Sequence, residues 1–310
     1  MDLRNILSEI GKTDPEVYEK LSGRRQVLKN FGSKVAVAAL PLAVASMFSK
    51  AYGKTTSAII DALNFALELE YLEFNFYHEA NNVTSLGLIP AADQPGFLAI
   101  EAHEKAHVTF LITTITALGG TPFQPNHYSD ATSAPPYIPA AYDFRASSNT
   151  VYAPVFANVF NDYPTFLIAA QTFEDSHIRA VNGQMSNWAG NAVFAQMQQL
   201  LATEGRHAAF IRLIRRNLGA VTAPEVPAPW ITNNIPPSFP VGSTVTNGNI
   251  VLQPFYNGED NTVQSGIDIS TLTDTGSPTG YVPQLSASAA FDEPLTQTAY
   301  SLLIAPFILP

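Results

Sequence analysis

The fold of this chain follows from one stretch, Leu67-Glu68-Leu69-Glu70-Tyr71-Leu72-Glu73-Phe74-Asn75-Phe76-Tyr77. Most of its side chains are apolar or aromatic, and the apolar residues recur at helical spacing. Three glutamates interrupt the stretch where the core face of a helix is normally apolar. A buried carboxylate takes up a proton, pairs with a cation or binds a metal ion, because an isolated buried charge is costly. The stretch therefore predicts a buried helix whose acids have partners elsewhere in the chain.

Composition excludes several classes of function. The 310 residues are 46% hydrophobic and carry a net charge of -10. The chain can therefore build a large core, and it has no run of Lys or Arg that would predict a nucleic-acid partner. Cysteine is absent, which excludes disulfides, thiolate metal sites and a cysteine nucleophile. Histidine and carboxylate side chains are the metal ligands that remain.

Hydrophobic periodicity predicts four long helices, at about 55–82, 93–118, 151–185 and 191–218. Ser57 lies where the first helix is expected to begin, and Gly119 and Gly219 lie where the second and fourth are expected to end. Pro164 predicts a kink or a restart in the third helix, because an internal proline removes a backbone hydrogen bond and clashes with the preceding turn. These boundaries place the opening stretch inside the first helix.

The connections between the helices predict how they are arranged. About ten residues join the first two helices, so these two are expected to be antiparallel. Residues 121–149 are rich in Pro, Ala, Ser, Tyr and Asn and form a long connection between the second and third helices. The predicted fold class is an all-α four-helix bundle with one long crossover between helices 2 and 3.

The predicted organisation has three parts. Residues 1–53 form an N-terminal segment, residues 54–219 form the bundle, and residues 220–310 form an irregular extension rich in Pro, Gly and Thr. Within the extension, segments 249–252 and 262–263 favour β structure and predict a hairpin. The chain ends in an apolar run that needs a surface to bury against, so the extension is expected to pack on the bundle.

The N-terminal segment resembles a twin-arginine export signal. Arg24-Arg25 precede an apolar run that closes on Ala43-Val44-Ala45 and is too short to span a membrane. This pattern predicts a periplasmic or extracellular protein. An acidic leader before the arginines leaves an alternative open, in which an amphipathic helix stays attached to a cytoplasmic protein.

Three of the predicted helices carry the same tetrad: Glu104-Lys105-Ala106-His107, Glu174-Asp175-Ser176-His177 and Glu204-Gly205-Arg206-His207. A spacing of three places the glutamate and the histidine on one helix face, where both can reach one metal ion. A single pair of this kind is usually solvated. Three of them, with Glu70 on the first helix, match the bundle arrangement that binds two metal ions through carboxylates. The predicted metal ligands are Glu70, Glu104, His107, Glu174, Glu204 and His207.

Other residues compete with the predicted ligands on the first two helices. Glu70 is preferred over Glu68 because Tyr77 follows Glu70 by seven residues, which places both on one face with the tyrosine as support. Glu68 is expected to be solvated or paired. On the second helix, Glu101 lies one turn further out and His103 is expected on another face.

Two further residues have more than one candidate role. Glu73 lies about one turn after Glu70 and is either a substitute ligand or a proton carrier. The two-metal arrangement needs only a glutamate on the third helix, so His177 is one potential ligand more than it requires. It is an extra nitrogen ligand, a proton shuttle or a hydrogen-bonded core histidine. Asp175 and Arg179 are expected to form an outer layer of hydrogen bonds.

The bundle motifs resemble those of the ferritin-like superfamily over about 57–219. The desiccation-related group of this superfamily is similar in these segments: Leu63-Asn64-Phe65-Ala66-Leu67, Glu70-Tyr71-Leu72-Glu73, Ala290-Phe291-Asp292-Glu293-Pro294-Leu295 and Ala305-Pro306-Phe307. The resemblance implies two iron or manganese ions acting on hydrogen peroxide or dioxygen, as in manganese catalases or di-iron oxidases, in stress protection. Glu73, His177 and Tyr77 are then the catalytic candidates.

A second hypothesis is not enzymatic. A structural metal site would contribute folding energy, and the apolar extension would contact the cell envelope or another subunit. A homodimer formed through bundle faces is the generic expectation. Iron storage in a closed shell is disfavoured, because large additions at both ends of the bundle obstruct such an assembly.

Overall fold

The computed structural model describes residues 54–83, 87–130, 137–226, 228–239, 245, 248–274 and 276–310. The N-terminal segment and its predicted export signal therefore lie outside the described residues. Within these ranges, four long helices confirm the predicted all-α core: α1 (Thr56–His78), α2 (Gln94–Ala117), α3 (Tyr163–Trp188) and α4 (Val193–Asn217). A short π-helical turn, Glu79–Val83, continues α1.

Capping residues explain where α1 and α3 begin. The Thr55 side chain accepts a backbone N–H of the first turn of α1 at 3.2 Å, so the cap precedes Ser57. Asp162 caps α3 in the same way at 3.0 Å. Pro164 then lies in the first turn, where its missing N–H would be unpaired in any case, and the helix starts there without a kink. The predicted helix from 151 is therefore a short helix, Ala153–Phe156, followed by α3.

Glycines end α2 and α4 as predicted. Gly119 and Gly219 have φ angles of 80° and 65°, a left-handed conformation that glycine adopts without strain. The N–H of Gly120 donates to the carbonyl of Ile115 at 2.9 Å, which pairs one of the last carbonyls of α2.

Contacts across α1 and α2 show that they are antiparallel. Asn64, in the first half of α1, donates to the carbonyl of Thr121 beyond the end of α2 at 3.1 Å. Asn81, beyond the end of α1, donates to the carbonyl of Phe97 in the first turn of α2 at 3.2 Å. The short connection between these helices thus forms a helical hairpin.

α3 is antiparallel to both α1 and α4, because later residues of one helix pair with earlier residues of the other. The pairs are Glu73 with His177, Tyr77 with Glu174, Gln171 with Arg215, and Asp175 with Arg212. It follows that α2 and α3 run in the same direction. The chain between them therefore returns along the length of the bundle, which is the predicted crossover.

The crossover is held both to the bundle and to the end of the chain. The N–H of Ile138 donates to Asn75 Oδ1 on α1 at 2.6 Å. The N–H of Asp143 donates to the carbonyl of Phe307, and the N–H of Leu309 donates to the carbonyl of Ala141, both at 2.9 Å. The crossover and the end of the extension are therefore hydrogen-bonded to each other.

Beyond residue 220 the chain is mostly irregular, with short elements among its described residues: Gly248–Leu252, Gln253–Phe255, β1 (Val263–Gln264), β2 (Ile267–Asp268), Ile269–Thr271, Gln284–Ser288, α5 (Gln297–Ile304) and Ala305–Phe307. β1 and β2 form an antiparallel hairpin, which includes Val263 of the second predicted segment but not the first segment, 249–252. Its turn residues, Ser265 and Gly266, both have positive φ, as tight hairpin turns require. The prediction of β structure at 249–252 is wrong, since this segment lies in a short helix.

Arg179 of α3 ties the extension to the bundle. Its guanidinium donates to the carbonyls of Glu293 at 2.8 Å and Asn257 at 2.7 Å, and it pairs with the Glu259 carboxylate at 2.5 Å. The apolar end of the chain is buried as expected, at Tyr300, Leu303, Ile304 and Phe307. Among the described residues, no helix combines the length and the apolar character needed to cross a bilayer.

Candidate metal centre

The six predicted metal ligands meet inside the bundle. The four carboxylates are fully buried, one on each long helix: Glu70, Glu104, Glu174 and Glu204. His207 is 3% exposed, whereas the side chain of His107 is 15% exposed. Four buried acids on four different helices cannot be a solvated surface cluster, so they require partners inside the protein.

One group of ligands surrounds His107. Its Nδ1 atom lies 3.2 Å from Glu70 Oε2, 3.2 Å from Glu104 Oε2 and 2.9 Å from Glu204 Oε1. One ligand atom from each of these four residues lies within 4.8 Å of all the others. Such a cluster has the size of the coordination shell of a single ion.

A second group surrounds His207. Its Nδ1 atom lies 2.9 Å from Glu104 Oε1, 3.0 Å from Glu204 Oε2 and 3.5 Å from Glu174 Oε2. These four residues also offer ligand atoms within 4.8 Å of one another. Glu104 and Glu204 belong to both groups, while Glu70 and Glu174 each belong to one of these two. The two groups therefore share two carboxylates, and each group could hold a metal ion.

The donor set fits divalent metal ions. Each of the four carboxylates has one buried oxygen that makes no well-aligned hydrogen bond, although a histidine nitrogen lies 2.9–3.5 Å from it: Glu70 Oε1, Glu104 Oε1, Glu174 Oε2 and Glu204 Oε1. Buried polar atoms are normally paired, so these oxygens are available as ligands for a metal ion. Four carboxylate charges also equal the charge of two divalent ions, which removes the repulsion among the acids.

Comparison with known families agrees with this geometry. The family model described as a ferritin-like domain matches residues 58–217, about half of the chain. The chain belongs to the ferritin-like domain family. No curated protein sequence matches the chain. The predicted ferritin-like superfamily and bundle are thereby confirmed, while the desiccation-related group stays a prediction.

In this ferritin-like site the pKa shifts of the two shared carboxylates, Glu104 and Glu204, differ in direction from those of Glu70 and Glu174. Burial raises the pKa of Glu70 and Glu174 well above the ordinary value, although neighbouring imidazoles oppose the shift. Burial also disfavours the charge of Glu204, but hydrogen bonds from His107 and His207 outweigh it and hold its pKa well below the ordinary value. The two shared carboxylates are the ones that the imidazoles keep ionised, because the same balance lowers the pKa of Glu104.

Carboxylates raise the pKa of both ligand imidazoles above the ordinary value. Burial by itself lowers the pKa of His107, and the charge of Glu70 with hydrogen bonds to Glu104 and Glu204 more than reverses this. For His207 the charge of Glu174 is the largest opposing effect. Imidazolium protons thus balance the acids among the protein groups alone, and metal binding has to displace them.

Tyr77 supports a different carboxylate from the one that its sequence spacing indicates. Its hydroxyl donates to Glu174 Oε1 on α3 at 2.5 Å, not to Glu70 on its own helix. Burial raises the pKa of Tyr77 well above the ordinary value, so the phenol stays protonated and remains a donor. Because one oxygen of Glu174 is held in this way, the other is left facing His207.

The structure separates the competing residues on α1 and α2. Glu68 is half-buried and lies outside all of the ligand groups. Glu101 is bound elsewhere, since its Oε1 atom lies 2.7 Å from His78 Nδ1 and its Oε2 atom accepts from Asn81 at 2.8 Å. The choice of Glu70 and Glu104 over these two acids agrees with the geometry.

The sequence places His103 on another face, whereas in the structure His103 contacts His207 from outside the ligand groups. Its ring stacks on that of His207 at an interplanar angle of 7°, and its Nδ1 atom lies 3.0 Å from His207 Nε2. Because His207 Nδ1 faces the carboxylates, its Nε2–H is free to donate to His103 when an ion is bound. The spacing from His103 to His107 is one helical turn, which was the available signal.

Proposed function

We propose that this protein is a dinuclear metal-carboxylate redox protein that holds two ions of iron or manganese and acts on hydrogen peroxide or dioxygen. The observation that carries the proposal is that Glu104 and Glu204 each take part in both ligand groups. Shared carboxylates hold two ions close together, and a close pair of redox metals can exchange two electrons with one substrate molecule. Disproportionation of two peroxide molecules to water and dioxygen is the reaction that we favour.

The donor atoms support iron or manganese. The site offers four carboxylates and two imidazole nitrogens, a set rich in oxygen that suits these metals. Zinc favours fewer and closer ligands. The chain has no cysteine, so no thiolate in it competes for the metal or consumes the oxidant.

The protein groups around the site have separable roles in this proposal. His107 is the most exposed of the six predicted ligands, and His103 beside it is exposed, so a small substrate reaches the site between α2 and α4. Tyr77 fixes Glu174 and excludes a second conformation of that ligand. Glu73 is fully buried and bonded to His177, so it is the candidate for carrying a proton beside the site.

Export and stress protection belong to the same proposal. The twin-arginine pattern in residues 1–53 would carry a folded protein out of the cytoplasm. Iron and manganese bind more weakly than copper and zinc, so loading before export lets availability choose the metal. An exported protein that removes peroxide would protect the cell envelope, in keeping with the resemblance to desiccation-related proteins.

The test measures the turnover of hydrogen peroxide by protein that has been loaded with metal. Protein saturated with manganese(II) or iron(II) is mixed with hydrogen peroxide in an oxygen electrode, with Glu204→Ala protein treated identically. We expect one dioxygen for each two peroxide molecules consumed by the parent, and only the background rate for the variant. Consumption of peroxide or oxygen without dioxygen release would indicate an oxidase or peroxidase instead. Full metal occupancy without any turnover would contradict an enzymatic role and support a structural metal site.

A further inference from the structure

His177 is fully buried on α3, and it is the one histidine in a Glu-x-x-His tetrad that the six-ligand arrangement does not use. Its Nε2 atom has no hydrogen-bond partner. The nearest acidic oxygen to it is Glu70 Oε1, at 3.5 Å, and that oxygen is also unpaired. Two buried polar atoms therefore face each other without a hydrogen bond between them.

The other ring nitrogen of His177 is bonded to a second buried acid. Its Nδ1 atom bonds to Glu73 Oε2, and Glu73 is also fully buried. An imidazole that donates Nδ1–H to a carboxylate carries its lone pair on Nε2. The Nε2 lone pair and the Glu70 oxygen would repel each other unless a cation lay between them. This is the arrangement in which a carboxylate orients a metal-binding histidine.

We propose that His177 Nε2 is a third nitrogen ligand of the centre and that Glu73 is the positioning residue that holds it. The ion concerned is the one bound by Glu70 and His107, because Glu70 belongs to that group and not to the group of His207. The inference rests on the proposed two-ion site. It makes the centre asymmetric, with two imidazoles on one ion and one on the other.

The geometry favours this reading over a separate third ion. Glu70, Glu73 and His177 also offer ligand atoms within 4.8 Å of one another. However, Glu73 Oε2 is already bonded to His177 Nδ1, on the side of the ring away from the Nε2 lone pair. Glu73 Oε2 is therefore placed to orient the ring, while Glu73 Oε1 is buried without a hydrogen-bond partner, so the number of ions in the parent distinguishes the two readings.

The experiment uses cobalt(II) as the probe, with the parent and three variants of the full chain. His177→Gln removes the imidazole and can still donate a hydrogen bond to Glu73, which guards against misfolding. Glu73→Gln leaves His177 in place. His78→Gln is the matched control, because His78 bonds to Glu101 outside the ligand groups. X-ray absorption counts the imidazole ligands, and cobalt titration gives the affinity of each site.

We expect about three imidazole ligands for two cobalt ions in the parent and in the His78→Gln control, and about two in His177→Gln. One of the two sites in His177→Gln should lose roughly ten- to a hundredfold in affinity, while the other is unchanged. Glu73→Gln should keep about three imidazoles and lose about tenfold at the same site. This combination distinguishes positioning by Glu73 from direct ligation.

An unchanged imidazole count and unchanged affinities in His177→Gln would overturn the inference while leaving the two-ion site intact. A parent that binds three ions, one of which is lost in both His177→Gln and Glu73→Gln, would overturn it in favour of a separate third ion. A parent that does not bind two ions would remove the proposed function itself.

Discussion

Glu204→Ala protein is expected to lose most of its metal, falling from about two ions per chain in the parent to less than about half an ion. Glu204 supplies oxygens to both ligand groups, so its removal weakens both ion positions at once. Two imidazoles and three carboxylates remain in the variant, and Glu104 is then the one carboxylate that belongs to both ligand groups. Metal content after dialysis against manganese(II) or iron(II), measured by mass spectrometry, checks the prediction.

Glu68→Ala is the matched control for this loss. Glu68 lies on α1 close to the site in sequence, but it is half-buried and outside the ligand groups, so its variant should retain the parent's metal content. Far-ultraviolet circular dichroism should show unchanged helix content in both variants. Two ions per chain in folded Glu204→Ala protein would show that the ligand assignment is wrong.

The second large effect concerns stability at the junction of α4 and the extension. Glu225 lies in the extension and forms a bidentate pair with Arg215, at 2.5 Å for Nη1 and 3.0 Å for Nη2. The hydroxyl of Ser238 also donates to this carboxylate, at 2.7 Å. Glu225→Ala leaves the Arg215 charge buried and uncompensated, so the free energy of unfolding should fall by about 3–5 kcal/mol at neutral pH. Chemical denaturation measures this value.

The pKa of Glu225 determines how the loss of unfolding free energy in Glu225→Ala depends on pH. Burial raises the pKa of Glu225, but Arg215 and the bonds from Ser238 outweigh it, so its pKa lies below the ordinary value. Such a group stabilises the fold above its unfolded pKa of about 4.3 and loses this effect as the pH falls through the folded pKa. The difference between parent and Glu225→Ala should therefore shrink below about pH 4.

Asp61→Ala serves as the control for the stability experiment. Asp61 is exposed on α1, and substitution of such a residue usually changes stability by less than about 0.5 kcal/mol. A loss of less than about 1 kcal/mol in Glu225→Ala would mean that the buried pair does not hold the extension on the bundle.

Local rules account for most of the bundle. The four helices were predictable because apolar residues repeat at helical spacing and because Gly119 and Gly219 end two of them. Pro164 was read as a kink or restart, and the structure shows a start, because Asp162 caps the helix just before it. The segment 249–252 is wrongly predicted because the β-branched residues Ile250 and Val251 favour a strand, whereas the structure places them in a short helix.

In the candidate site, too, some features follow from spacing within one helix and others from packing between helices. The grouping of the tetrad residues could be predicted because a glutamate and a histidine three residues apart share a helix face whatever the neighbouring helix does. The partner of Tyr77 and the contact of His103 could not, because they depend on the register between helices. Spacing within α1 pointed Tyr77 towards Glu70, and only the packing of α1 against α3 shows that it holds Glu174.

The measurement that tests the central claim most directly is the metal-to-protein ratio of the protein purified from its native compartment. A centre in which Glu104 and Glu204 are shared predicts about two ions of iron or manganese per chain. A single ion per chain, zinc as the main metal, or no bound metal would contradict the account.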